Sequence, residues 1–291
     1  ELSACLVGSE MCIRDSPGST QASLVSTNAG AFRSFDFSQG DTSPVCELCA
    51  ETYAKALNAL LARDSRSRFR LDDSSVMVYW TTQASSENFY ELLDANSDAV
   101  RRLLESPRRG SESAALDAGR FYAAVLTSSK GRVIIRAWIE QTLPSVYDAL
   151  RRHFEDTAII HRGETRVFSI AGLLQSLAPD RERTRTVPGG VEESFVRAVF
   201  TGSPYPAEIL TLAVMRFRVG GNLTPERIAL VKAVLKRLPQ PQGWKGASTS
   251  MDTANRDPAY ICGRLFALLE HAQRRAVGNV NATIVDRYYS S

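Results

Sequence analysis

The sequence predicts an α+β protein in which a mixed α/β middle region, centred on a β-hairpin, is followed by an all-helical C-terminal bundle. Three observations carry this. Residues 120–127 and 132–141 are two runs rich in Val, Ile and aromatic side chains, joined by the short linker Ser128-Ser129-Lys130-Gly131, the pattern of a hairpin. From Pro144 onward, apolar residues recur at helical spacing between Pro and Gly breaks. A chain of 291 residues with 44% hydrophobic and 23% charged side chains can bury a sizeable core, which excludes global disorder. Other classes fall away too. The sequence has no apolar run of the roughly 20 residues needed to span a bilayer, and its start lacks a signal-peptide layout. Five cysteines in this length point to a reducing cytoplasm rather than a disulfide scaffold.

Taken in order, residues 1–16 show no periodicity that continues beyond Ser16. They look like translated sequencing-adapter sequence, so a non-native leader outside the fold is expected. The chain as a whole reads as a fragment of a longer protein. Residues 17–160 form the expected mixed α/β region. Ser43-Pro44 supplies a capping residue and a first-position proline for a helix to about Ala62, with Val45, Leu48, Tyr53, Leu57, Leu60 and Leu61 on its apolar face. Residues 69–71 and 76–81 read as strands, and 87–94 and 98–105 as short helices, before a break at Pro107 to Gly110. In the second hairpin run, Val133, Ile135, Ala137 and Ile139 alternate with Ile134, Arg136, Trp138 and Glu140. One uniformly apolar face is expected there, on a sheet covered mainly on one side.

Residues 161–291 form the expected bundle. After a candidate helix at 144–156 in the preceding region, candidate helices span 169–177, 191–200, 206–218, 225–238, 258–277 and 281–289, separated by Pro179, Pro188-Gly189-Gly190, Gly202-Ser203-Pro204, Gly220-Gly221 and the loop from Pro239 to Asp257. Thr224-Pro225 and Asp257-Pro258 repeat the cap-then-proline start.

Chemistry-bearing motifs are few. Cys46-Glu47-Leu48-Cys49 is a lone CxxC, and only Cys262 remains beyond the leader's Cys5 and Cys12. A structural zinc site needs a second ligand pair, so helix packing is the expected role and a metal or redox role the alternative. His153, His161 and His271 sit in no motif that sets up general-base or nucleophilic catalysis. No phosphate loop or GxGxxG turn occurs. No enzyme activity and no cofactor are therefore expected. The enzyme alternative would need convergent titratable groups in a cleft, such as His153 near a buried carboxylate.

Charge is more informative once divided. Residues 1–145 carry 15 basic and 18 acidic side chains, while residues 146–291 carry 20 basic and 14 acidic ones. In 225–238, Leu230, Val231, Val234, Leu235 and Leu238 fall on one side, with Lys232 and Lys236 together on another. In 258–277, Ile261, Leu265, Leu268, Leu269, Ala272 and Ala276 form an expected buried stripe, flanked by Arg264, His271 and Arg275 with Arg274 further round. Arg216 and Arg218 end the helix at 206–218. Rows of this kind can track a phosphate backbone, each contact releasing counterions. Their alternative is a solubilising exterior with cations placed at helix C-termini.

Four blocks resemble a known family. They are Leu24-Val25-Ser26-Thr27-Asn28-Ala29-Gly30-Ala31-Phe32 with Gly40 and Pro44; Gly119 to Leu126 running into Gly131-Arg132-Val133; Thr201-Gly202-Ser203-Pro204-Tyr205-Pro206; and Asn255 to Phe266, closing with Asn281-Ala282-Thr283-Ile284 and Asp286-Arg287-Tyr288-Tyr289. In this order they resemble the large subunit of the type I-C CRISPR interference (Cascade) complex. The resemblance implies a non-catalytic scaffold of an RNA-guided surveillance complex in antiviral defence. Guide pairing supplies sequence specificity there, while protein holds the displaced strand. It implies docking to backbone subunits that carry guide RNA, contact with target DNA, and a separate helicase-nuclease recruited in trans. It also implies a C-terminal bundle similar to the complex's small subunit. Individual motif-reading residues do not transfer, because the matching positions are Gly, Pro, aromatic and cap residues. The rival expectation is a helical protein-interaction module with no direct nucleic-acid contact.

Overall fold

The computed structural model describes residues 12–14, 21–23, 30, 45–82, 88–105, 119–129, 132–161, 163–179, 187, 190–220, 223–239, 248, 250–278 and 284–288. Its contacts divide the chain into two compact units, residues 1–93 with 108–146, and residues 94–107 with 147–291.

The first unit is built on a sheet of order β1-β2-β6-β5-β4-β3, comprising β1 (Cys12–Arg14), β2 (Gln21–Ser23), β3 (Arg68–Arg70), β4 (Ser75–Thr81), β5 (Arg120–Ser129) and β6 (Arg132–Thr142). β3 to β6 run antiparallel, with Phe69 opposite Met77, Met77 opposite Val125 and Val125 opposite Ala137. Helix α1 (Glu47–Leu61) covers one face: Leu61 packs with Val76, Val78, Ala124, Leu126 and Val133. On the other face Phe89 of α2 (Phe89–Leu93) meets Tyr79 and Phe121 at ring-centroid distances of 6.1 and 5.2 Å. Apolar cover on both sides explains why β4 reads Ser-Val-Met-Val-Tyr without polar alternation, with all five residues buried. On β6 the cover is one-sided, as expected from the sequence, with Ala137 and Ile139 buried and Trp138 and Glu140 exposed.

The hairpin forms as expected, but its alternation breaks. Leu126 lies opposite Ile135 and Val125 opposite Ala137, so Arg136 is an extra residue on β6. The bulge places Val133 and Ile135 on the α1 side and Ala137 and Ile139 on the other, so the four do not share a face. Arg136 donates from Nε to Thr127 Oγ1 at 3.2 Å. At the tip of β3–β4, Asp72 Oδ1 accepts from the backbone N–H of Ser74 and of Ser75, each at 2.7 Å, an Asx turn that fixes the reversal. Helix α1 is capped by Cys46, whose Sγ accepts from the Cys49 N–H at 3.3 Å; the expected Ser43-Pro44 start lies outside the described residues.

The second unit holds α3 (Ser97–Glu105), the body of α4 (Leu143–Thr157), a hairpin of β7 (Ile159–His161) and β8 (Glu164–Arg166), then α5 (Ile170–Gln175), α6 (Val191–Thr201), α7 (Glu208–Gly220), α8 (Pro225–Arg237), α9 (Pro258–Val277) and α10 (Ile284–Tyr288). The chain is therefore α+β, with helices toward its C-terminus, although the short β7–β8 hairpin is not expected from the sequence. Caps follow the sequence. Thr224 Oγ1 accepts from Arg227 N–H at 3.4 Å, and Asp257 Oδ1 from Ala259 and Tyr260 N–H at 2.9 and 3.1 Å, each with proline in the first turn. Gly202, at φ 70°, closes α6 with its N–H on Ala198 O. Phe154, Phe195, Phe200, Ile209 and Leu230 are fully buried. α9 differs from expectation. None of its residues is buried, and Ile261, Leu265, Leu268 and Leu269 are 43–64% exposed, so its stripe faces solvent.

Candidate nucleic-acid interface

The cations expected to grip a strand occupy different surroundings. In α8 the buried residues are Ala229, Leu230, Ala233 and Val234, with Arg227 and Lys232 beside them. The two small alanines let α8 turn that face inward, which takes Lys232 inside. Its ammonium donates to Ala158 O and, at 3.4 Å, to Glu155 O at the C-terminal end of α4, where carbonyls lack helical partners. Burial and the neighbouring Lys236 charge lower the Lys232 pKa to about 8, opposed by Asp156. Lys232 is thus an anchor between α8 and α4, and its expected phosphate role is corrected. Lys236 is half exposed and bridges Asp156 at 2.9 Å.

On α9, Arg274 bridges Glu270 at 2.6 Å, one turn away. Arg275 is exposed and Arg264 half-buried, and neither bonds a described acid. His271 is exposed on the same helix. Arg216 is half-buried on α7 with its Nε shielded and without a hydrogen-bond partner. Arg218 is exposed and borders an apolar groove along α7 with Leu210, Val214, Met215 and Val219. Of the seven expected residues, Arg216, Arg264 and Arg275 keep charge that no described carboxylate neutralises within 4 Å.

The most heavily charged buried place in the second unit is one the sequence does not announce. Asp156 on α4, 3% exposed, accepts from Arg237 Nε at 2.6 Å. Arg237 Nη1 donates to Ala198 O at 3.0 Å and Ser203 O at 2.7 Å, and its guanidinium lies 4.0 Å over the Tyr205 ring. Tyr205 Oη and His153 Nδ1 share a hydrogen bond of 2.8 Å. Burial, reinforced by the Arg237 charge, pushes the His153 pKa down to about 3 against the pull of Asp156, and burial raises that of Tyr205. Both rings are therefore neutral at pH 7. One guanidinium thus ties α4, α6 and the Gly202–Pro206 loop to α8. Asp156 carries a faint sequence signal: it sits on α4 between the buried positions 153 and 157, where a lone carboxylate needs a partner.

His153 does stand near a buried carboxylate, the condition set for enzyme chemistry. The group is closed rather than in a cleft, since His153 is 0% and Tyr205 3% exposed. Cys46 serves as a helix cap, Cys49 and Cys262 are exposed, and no group of three or more His, Cys, Asp or Glu suited to a metal occurs among the described residues. No described helix is long and apolar enough to cross a membrane. A family model described as CRISPR-associated protein (Cas_Csd1) matches residues 11–291. A comparison with curated proteins gives no match.

Proposed function

The chain belongs to the Cas_Csd1 family of CRISPR-associated proteins, and from that premise we propose that it is a non-catalytic large-subunit component of a type I-C RNA-guided surveillance complex. In this reading it works in the cytoplasm. It grips the non-target strand and flanking duplex of target DNA, docks to backbone subunits bearing guide RNA, and leaves cutting to a helicase-nuclease recruited in trans. The family match along almost the whole chain is the observation that carries the reading. The cationic balance of residues 146–291 supports it. Phosphate neutralisation is assigned to Arg264 and Arg275 on α9 with Arg216 and Arg218 on α7, each contact adding salt-sensitive affinity through counterion release. Covalent chemistry is left to other subunits, because the buried His153 is held neutral and committed to packing.

The test is charge reversal at Arg264 and Arg275 in the assembled complex. Binding of target DNA should weaken, and the dependence of log K on log salt should flatten. Unchanged affinity across the salt series refutes the assignment.

A second reading, a protein-interaction module without nucleic-acid contact, is favoured by one observation: the solvent-facing apolar stripe of α9. Replacing Leu265 and Leu268 with Ser separates the two. Loss of subunit assembly with intact DNA affinity of the isolated chain supports the protein surface, whereas the DNA reading expects the reverse from the arginine changes.

A further inference from the structure

An arginine-lined cleft of about 560 Å³ opens in the first unit, between the α1–β3 turn and the start of α2. Arg63, Arg66, Arg68 and Arg70 line it together with Tyr90. We propose that this cleft binds the phosphodiester backbone of a single-stranded nucleic acid, with a base stacked on Tyr90.

Its charges are poorly accounted for by the protein itself. The Arg70 side chain bridges Asp73 at 2.8 Å and donates to Asp72 O, but those of Arg63, Arg66 and Arg68 pair with no described residue. Asp64 and Glu91 are the acidic side chains of the lining. Glu91 already accepts from Asn88 Nδ2 at 3.0 Å, and Asp64 bridges none of the four arginines within 4 Å. With Arg70 paired to Asp73, three guanidinium groups face two carboxylates, and the cleft keeps a net positive charge.

The wall is also pre-shaped. Arg68 N–H donates to Ser65 O, Ser67 N–H to Ser65 Oγ at 3.2 Å, Tyr79 N–H to Ser67 O at 3.0 Å, and Tyr79 Oη to Arg66 O. The turn carrying Arg63 and Arg66 is thereby fastened to β4. Tyr90 is 40% exposed, and its ring is steadied edge-on against Phe69 at 5.8 Å.

A plainer use for arginines here is protection of the sheet edge, since β3 is the outer strand and charge discourages edge pairing. Edge protection requires only solvated charge. It does not explain the half-exposed Tyr90 ring set beside the arginines, which protection of an edge strand does not need. Guanidinium forks match phosphate oxygens geometrically. An exposed aromatic ring beside them adds base stacking, which a paired duplex base cannot use. The cleft's role rests on the proposed nucleic-acid function, and it places a contact outside the helical unit.

The test measures binding of the full chain to a labelled 20-nucleotide DNA strand, to RNA of the same sequence and to the matching DNA duplex, across a salt series. Joint replacement of the exposed Arg63 and Arg66 by Ala should weaken single-strand binding about tenfold at low salt. It should also reduce the slope of log K against log salt by roughly 1.4, at about 0.7 per phosphate contact. Tyr90→Leu should weaken single-strand binding at least fivefold and leave duplex binding unchanged. The strand type that loses more affinity identifies the ligand as DNA or RNA. Wild-type binding retained in full by both variants overturns the cleft while leaving the function standing; equal loss on duplex and single strand overturns the stacking. A wild-type chain that binds none of the three refutes the nucleic-acid function, and the cleft with it. Photocrosslinking of a halogenated single strand gives a readout that needs no variant: adducts at Tyr90 support the site, and adducts confined to residues 147–291 contradict it.

Discussion

Replacing Arg237 with Met removes the guanidinium that ties α4, α6 and α8 while keeping most of the side chain's apolar volume. Asp156 then stays buried, with the half-exposed Lys236 as its remaining ion-pair partner among the described residues. Breaking one side of a buried ion pair costs about 3–5 kcal/mol. Ala198 O and Ser203 O also lose a donor, at about 1 kcal/mol each, and Tyr205 loses its cation, at about 1 kcal/mol. These losses share one group and do not add, so a net cost of about 4 kcal/mol is expected. At 1.4 kcal/mol per tenfold, backbone amides protected by this region should exchange roughly a thousandfold faster. Hydrogen exchange read by mass spectrometry should show this in peptides covering 150–157, 196–205 and 230–237. The exposed pair Lys55–Glu51, with side chains 77% and 54% accessible, is the comparison: Lys55→Ala should change exchange less than threefold. Joint replacement of Asp156 by Asn and Arg237 by Met should recover part of the loss, since the buried carboxylate that lost its guanidinium is gone as well. If Arg237→Met exchanges within threefold of wild type in all three peptides, the assignment of Arg237 as the unit's central tie is wrong.

Acid should act through His153. Its folded pKa of about 3 lies below the ordinary 6.5, so between these values the unfolded chain binds the extra proton and stability falls as pH drops. The loss reaches about 3 kcal/mol by pH 4. The imidazole should show no NMR titration above pH 4, and a midpoint near 6.5 contradicts its burial. Lys232→Met should leave the salt slope of nucleic-acid binding unchanged, since the ammonium points at the end of α4; a slope reduced by about one would place it on a phosphate. Gly202→Ala meets no close contact, its Cβ lying 3.9 Å from that of Ala149, yet φ of 70° strains any side chain. A cost of about 1 kcal/mol is expected, seen as a lowered melting temperature, and an unchanged one refutes the αL cap.

Local chemistry makes much of the fold legible. Thr224-Pro225 and Asp257-Pro258 mark the starts of α8 and α9 because cap and proline act within one turn. The β5–β6 hairpin is legible because β-branched and aromatic runs flank a short polar linker. Features set by the partner element are not legible. Alternation along β6 cannot reveal the inserted Arg136, which appears only against the register of β5. β7 and β8 are three residues each, too short to show a period. The periodicity of α8 gives a stripe but not its rotation, so Lys232 reads as part of an outer row, although Ala229 and Ala233 draw that side inward. The α9 stripe is amphipathic in the sequence and in the structure, but periodicity does not tell what covers it. The Arg63–Arg70 cleft has a signal in the run Arg63-Asp64-Ser65-Arg66-Ser67-Arg68-Phe69-Arg70, but the net acidity of residues 1–145 masks it, and Tyr90 joins the run only through the fold.

The salt dependence of target-DNA binding, compared for complexes assembled with and without this chain, decides whether it grips nucleic acid. With the chain present, affinity should be higher and log K should fall more steeply with log salt, by roughly 0.7–0.9 for each phosphate held. Identical affinities and identical slopes would contradict a role in gripping nucleic acid.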